Sequence, residues 1–102
     1  MSTEAQASGE RAEFNLDRPW QLHAQVSVRP ERFGALLYHF GTRRLSFLKS
    51  PALLTVVSSL GDAPSARQAC QAAGVSPAEL PAYATALETL ASSQMIRARE
   101  VA

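Results

Sequence analysis

A chain of 102 residues fits a single domain with its own apolar core, but it is too small for a core plus an elaborate catalytic cleft. Its 10 basic and 9 acidic residues leave a formal net charge of +1, which excludes the strongly basic surface of a protein that contacts many phosphates. A single cysteine excludes an internal disulfide and a cysteine-based metal site within one chain, and it suits the reducing cytoplasm.

The first 13 residues are predicted to form a disordered tail. They are rich in Ser, Glu, Ala and Gln, so they bury too little apolar surface to offset the entropy lost on ordering. They also lack the basic and apolar regions of a secretory signal, and no apolar run approaches the roughly 20 residues that span a bilayer. We therefore expect no membrane partner. The folded domain is expected to span residues 14–97, with a C-terminal tail over residues 98–102.

The next segment predicts a three-stranded antiparallel sheet. Apolar and polar residues alternate over residues 20–28, which is typical of a half-buried strand. Pro30 should then stop the pairing and open a turn over residues 29–32. The nearly continuous apolar run 35–40 favours a strand covered on both faces. The third strand, residues 43–48, returns beside it.

The third strand carries the main functional hypothesis. Its alternation places Leu45 and Phe47 on one face and Ser46 and Leu48 on the other, and either Leu45 or Phe47 is expected to pack inward. In a meander the outer edge of this strand is unpaired. An extended peptide could add to that edge, and proline at position 46 should abolish binding if the Ser46 N–H faces outward.

The charges near this strand allow two interpretations. Residues 18–49 contain six basic residues and one acidic residue, a net charge of +5. Arg43, Arg44 and Lys49 could be charged side chains that protect an exposed edge from aggregation. Alternatively, they could favour an acidic peptide bound at that edge.

From residue 50 onward the apolar spacing changes to about 3.6, which predicts three helices. Ser50 before a proline is a typical N-cap for the first helix. Residues 65–68 and 76–79 match the capping-box pattern at the starts of the second and third. The third should run from about residue 77 to residue 93. The predicted fold class is α+β and winged-helix-like, with the three-stranded antiparallel sheet followed by the three helices.

The sequence predicts no enzyme, no cofactor and no metal site. His23 and His39 lack the spacing of metal ligands, and Cys70 fits a small buried apolar residue. A winged-helix DNA-binding regulator is an alternative, but Glu79 and Glu88 without any Lys or Arg over residues 76–93 would repel phosphates, so we expect no nucleic acid partner. A self-associating structural module is the other alternative.

One stretch carries a family resemblance. Residues 28–41, VRPERFGALLYHFG, are followed by RRLSFL and by SPALL at the predicted helix start. This pattern resembles the PqqD-type peptide chaperones, or RiPP recognition elements, and among them the mycofactocin-system chaperones, over about residues 14–97. The resemblance implies an adaptor that binds the leader of a ribosomally made precursor peptide, MftA, and delivers it to the radical S-adenosylmethionine maturase MftC, which performs the chemistry.

The resemblance also implies where the peptide binds, namely a groove between the third strand and the third helix. Some of the candidate residues must instead belong to the core, and Leu87 is the clearest of these. The candidates on the strand are Arg43, Arg44, Leu45, Ser46, Phe47 and Leu48, and those on the helix are Tyr83, Ala84, Leu87 and Leu90.

Overall fold

The computed structural model of the chain describes residues 14–99, so the predicted tail over residues 1–13 lies outside the described residues. It is an α+β fold in which a three-stranded antiparallel sheet precedes three helices, as predicted, while the winged-helix likeness stays a prediction. The strands are β1 (Trp20–Leu22), β2 (Val26–Glu31), β3 (Gly34–His39), β4 (Leu45–Leu48) and β5 (Ile96–Ala98), and the helices are α1 (Pro51–Ser59), α2 (Ala66–Ala72) and α3 (Leu80–Ser92).

The three-stranded sheet has the order β2-β3-β4. Leu37 at its centre lies opposite Val28 on β2 and Ser46 on β4. Ala35 and Leu37 on β3 are fully buried, because the helices cover this face of the sheet. Among the described residues no strand pairs with the far side of β4, which is therefore an open edge.

The prediction of one strand over residues 20–28 was wrong. The chain turns after His23, whose carbonyl accepts a hydrogen bond from the Val26 N–H at 3.0 Å. The first part becomes β1, which pairs with β5 in a separate two-stranded sheet, Trp20 opposite Ala98. Strand β5 was not predicted, because a three-residue strand with one buried residue, Ile96, has no detectable alternation.

Pro30 also behaves differently from the prediction. It does not stop the pairing but lies within β2, opposite Ala35. Pro30 is tolerated because β2 is an edge strand, where a residue without an N–H can face away from the neighbouring strand. The turn therefore comes two residues later than predicted, between Glu31 and Gly34.

The first two helices begin where their capping residues predict. The Ser50 hydroxyl accepts from the Leu53 N–H at 3.0 Å, and the Ser65 hydroxyl caps α2 in the same way. Ser76 and Glu79 form the full capping box, with N–H to side-chain oxygen distances of 3.1 and 3.2 Å. Regular α3 starts one turn later than predicted, since a proline at position 81 has no N–H to bond the preceding turn.

The core lies between the inner face of the sheet and the three helices, with β5 closing one end. Leu48, Leu60 and Leu87 are among its largest fully buried side chains. Cys70 is buried as predicted, and burial raises the pKa of its thiol. Within residues 14–99 no helix has both the length and the apolar character to cross a membrane.

Arg99, which follows β5, is held by both backbone and side-chain hydrogen bonds. Its backbone N–H donates to the Pro19 carbonyl at 3.0 Å. Its guanidinium donates to the carbonyls of Leu60, Gly61 and Ala63 at 2.6 to 3.2 Å, which satisfies carbonyls in and just after the 3₁₀ turn Leu60–Asp62 that follows α1.

Gly34 allows β3 to pass close to the junction of β4 and α1. A Cβ at this position would overlap the carbonyl oxygen of Leu48 and would lie 2.9 Å from the Ser50 nitrogen. The φ angle of +153° is also one that residues with a side chain rarely adopt. Glycine at position 34 is therefore required for the register of β4.

The two histidines are neighbours, with ring centroids 4.4 Å apart. His39 is buried, and its Nδ1 accepts from the N–H groups of Gly41 and Thr42 at 3.0 and 3.1 Å, which holds the turn between β3 and β4. His23 Nδ1 accepts from the Gln25 N–H at 3.0 Å. Burial, followed by the electrostatic effects of His39 and Arg97, lowers the pKa of His23 below its usual 6.5.

Replacing Gly34 by Ala should lower the free energy of unfolding by about 2 kcal/mol or more, because the added Cβ meets fixed backbone atoms. Urea denaturation measures the change. Gly61→Ala is the matched control, since its Cβ would lie 3.9 Å from the Gln21 Cβ, an ordinary contact, and should change stability by less than about 0.5 kcal/mol. Equal stability of the two variants would contradict this role for Gly34.

Stability should fall as the pH drops below 6.5, because the unfolded chain protonates His23 at its usual pKa while the folded chain resists protonation. The loss occurs between pH 6.5 and the lowered folded-state pKa. Urea unfolding from pH 7.5 to pH 5 should show it, and His23→Gln should flatten the profile. Asp17, whose pKa lies below 3.8, does not titrate in this window. Identical profiles for the two proteins would refute the assignment.

Candidate functional site

An apolar groove of about 460 Å³ runs between β4 and α3. All four residues of β4 line it, together with side chains from α1 and α3. A smaller pocket of about 160 Å³ shares Leu53 and Ala86 with the groove and extends it along α3 to Tyr83. The lining residues of the main groove are Leu45, Ser46, Phe47, Leu48, Lys49, Leu53, Ala86, Thr89 and Leu90.

Helical spacing explains the α3 wall of the groove. Tyr83, Ala86 and Leu90 are three and four residues apart, so they lie on one face of the helix. Tyr83 and Ala86 are half-buried, while Leu90 is buried in the core. Leu53 joins them from the first turn of α1, which the Ser50 cap fixes directly after β4.

The backbone of β4 has one bonded side and one free side. The His39 N–H donates to the Arg44 carbonyl at 3.0 Å. His39 and every second residue before it on β3 therefore direct their N–H and C=O groups toward β4. The register pairs Leu37 with Ser46 and Ala35 with Leu48, which are therefore the hydrogen-bonded pairs.

It follows that Leu45 and Phe47 direct their N–H and C=O groups to the open edge. The Ser46 N–H points toward β3, so the expectation that proline at this position would test the edge was misplaced. Proline there would break the internal ladder instead.

The side chains of β4 follow the same alternation. Leu45 and Phe47 are 55% and 59% exposed, while Leu48 is 1% exposed and Ser46 is half-buried. The expectation that Leu45 or Phe47 packs inward was wrong. The register decides this face, because Ser46 and Leu48 lie opposite core residues of β3.

Basic residues flank β4 at both ends. Arg43 and Arg44 are exposed in the turn before it, where Arg43 has a left-handed φ of 66°, and the exposed Lys49 follows it. The α3 carboxylate of Glu88 lies away from the groove, in a separate pocket that also contains Asp17 and Arg67. The approach to the groove is therefore cationic.

The structure brings most of the candidate residues together. All of β4 lines the groove, Arg43 and Arg44 precede it, and Leu90 and Tyr83 line the α3 side. Ala84 lies in the separate pocket with Glu88, and Leu87 is fully buried in the core as expected, so neither lines the groove.

Sequence reasoning missed three lining residues, which are Leu53, Ala86 and Thr89, whereas Lys49 was expected near the edge for its charge. Ala86 could have been found from the spacing of Tyr83 and Leu90, whereas Leu53 depends on how α1 packs beside β4. Within residues 14–99, no three His, Cys, Asp or Glu side chains come together as metal ligands.

Comparison with known proteins gives a consistent result. Residues 19–97 match the model of the peptide chaperone MftB family. The chain is 57% identical to a peptide chaperone MftB of Mycobacterium ulcerans over 96 residues, 94% of this chain and 88% of that protein. It is 52% identical to peptide chaperone MftB of Mycobacterium tuberculosis over 103 residues, 98% of this chain and 94% of that protein. No solved structure matches the chain.

A third relative, peptide chaperone MftB of Mycolicibacterium smegmatis, is 52% identical over 96 residues, which cover 94% of this chain and 91% of that protein. The matched region includes β4, the groove and all of α3. With a family match across residues 19–97 and relatives of this similarity, the chain belongs to the peptide chaperone MftB family, a family of chaperones and not of enzymes.

Proposed function

We propose that this chain captures the leader of the mycofactocin precursor peptide MftA as a fourth strand on β4 and delivers it to the radical S-adenosylmethionine maturase MftC. The observation that carries the proposal is the free N–H and C=O groups of Leu45 and Phe47 along an apolar groove. An extended peptide satisfies such groups by strand addition. The capture takes place in the cytoplasm, where Cys70 stays a thiol.

The geometry divides the side chains of the bound strand into two sets. Cross-strand neighbours share a face, so the peptide residues opposite Ser46 and Leu48 point inward to Leu53, Ala86 and Leu90. The intervening residues point outward beside Leu45 and Phe47. Apolar side chains at every second peptide position therefore fit the groove.

Charge adds a second element of recognition. Arg43 and Arg44 lie at one end of β4 and Lys49 at the other, and all three are exposed. Basic residues at both ends favour carboxylates flanking the apolar positions of the peptide, and they accelerate its encounter with the edge. Exposed cations contribute more to orientation and association rate than to affinity.

The role is delivery and not catalysis. Holding the leader on a small adaptor that also contacts the enzyme turns the second encounter into an intramolecular one, which raises the effective concentration of the reactive end of the peptide. The bond-forming steps then belong to MftC. No nucleic acid partner is proposed, since the exposed Glu79 and Glu88 would repel phosphates from α3.

Replacing Phe47 by Pro should weaken MftA binding at least tenfold. The substitution removes an N–H that faces the open edge, and its ring obstructs the approach of a strand, but it leaves the β3 ladder intact. Isothermal titration with synthetic MftA measures the affinity, and circular dichroism verifies the fold. Phe47→Ala, which keeps the N–H, is the control for loss of the ring.

Leu45→Pro removes the other N–H that faces the open edge, and it replaces Phe47→Pro as the test if that variant does not fold. The edge assignment is refuted if a folded proline variant binds MftA as tightly as the Phe47→Ala protein does. It is refuted equally if the unliganded chain elutes as a dimer that MftA does not dissociate, because the edge would then serve self-association.

Two alanines of α3 provide a matched test of the groove. Ala86 lines the groove and Ala84 lies in the separate pocket, and both are half-buried. Ala86→Trp should fill the groove and lower MftA affinity about tenfold or more, whereas Ala84→Trp should leave the affinity within twofold of the original. Titration of both folded variants checks this, and the reverse order of affinities would place the peptide on the other side of α3.

A further inference from the structure

The sheet face opposite the helices carries a patch of exposed apolar side chains. Within residues 14–99 the exposed large apolar residues are Phe33, Phe40, Leu45 and Phe47, with exposures of 46%, 59%, 55% and 59%. All four belong to this sheet or to its turns. Monomeric proteins rarely leave such a contiguous patch to water unless it binds something.

Register and ring contacts make the patch continuous. Leu36 lies opposite Phe47 and Tyr38 lies opposite Leu45, on the face away from the core. The Phe33 and Phe47 rings have centroids 6.2 Å apart, and the Tyr38 and Phe40 rings meet edge to face at 5.2 Å. We call this surface the outer face; it consists of Phe33, Leu36, Tyr38, Phe40, Leu45 and Phe47.

Basic residues surround the outer face. Residues 26–49 contain five basic residues, which are Arg29, Arg32, Arg43, Arg44 and Lys49, and one acidic residue, Glu31, a net charge of +4. Glu31 is already paired with Arg29 at 2.9 Å. A symmetric contact between two copies would bring these like charges together, so the charge favours a different protein whose surface is apolar at its centre and acidic around it.

We infer that the outer face is the docking surface for the peptide-modifying enzyme, which contacts it through apolar side chains framed by carboxylates. This inference rests on the proposed function, because it requires that the captured peptide be delivered to an enzyme. Leu45 and Phe47 present their side chains to the outer face and their backbone to the open edge, so a peptide on the edge extends the outer face. An enzyme bound there meets the outward side chains of the peptide while the groove stays occupied.

Phe33→Ser combined with Phe40→Ser tests the inference without altering the β4 edge or the groove. Biolayer interferometry with purified MftC should show binding at least tenfold weaker than for the original chain, because two large apolar contacts are lost. Titration with synthetic MftA should give an affinity within twofold of the original. Arg32→Glu should also weaken MftC binding, most strongly at low salt, whereas Arg18→Glu, an exposed cation off the sheet, should not.

Undiminished MftC binding by the folded double variant would overturn the inference, as would an equal loss of MftA binding, which would make the outer face part of the peptide site. A wild-type dimer that the double variant abolishes, with MftC binding unchanged, would assign the face to a second copy. If the original chain does not bind MftA, the proposed function is refuted, and this result is distinguishable from a failure of the docking surface.

Discussion

The register of β4 against β3 is the constraint on which the rest of the structure depends. The register fixes both the side-chain direction and the hydrogen-bond direction of each residue in β4, because both directions repeat every two residues along a strand. Ser46 and Leu48 therefore face the core and bond to β3, while Leu45 and Phe47 face outward and leave their backbone free. A slip of one residue would exchange these roles, so that Ser46 and Leu48 would face outward and present the free backbone groups instead.

Features at both ends of β4 hold this register. The buried imidazole of His39 accepts two N–H groups of the preceding turn, so the turn has one favoured geometry. At the other end, Gly34 lets β3 approach the Leu48 carbonyl, and the Ser50 cap starts α1 immediately afterwards. His39 thus has a structural role, because its ring is buried and its Nδ1 already accepts backbone hydrogen bonds.

Sequence patterns predicted the parts of the fold that depend on local interactions. The Ser50 cap and the capping box of Ser76 follow from side chains a few residues apart, and the third strand follows from its alternation. The break after His23 and the pairing of β5 depend on distant segments. The sequence also could not predict which face of β4 points inward, because both faces of this strand carry large apolar residues. In the site, Leu90 and Tyr83 were predictable from helical spacing, whereas Leu53 required the packing of α1.

Amide hydrogen exchange resolved by residue tests the central claim most directly. In the free chain the Leu45 and Phe47 amides should exchange rapidly and the Ser46 and Leu48 amides slowly, since only the latter pair bonds to β3. Saturating MftA should slow exchange at Leu45 and Phe47. If these two amides are already protected in the free chain, or exchange as fast as before when MftA is bound, then the peptide does not add to this edge and the account is contradicted.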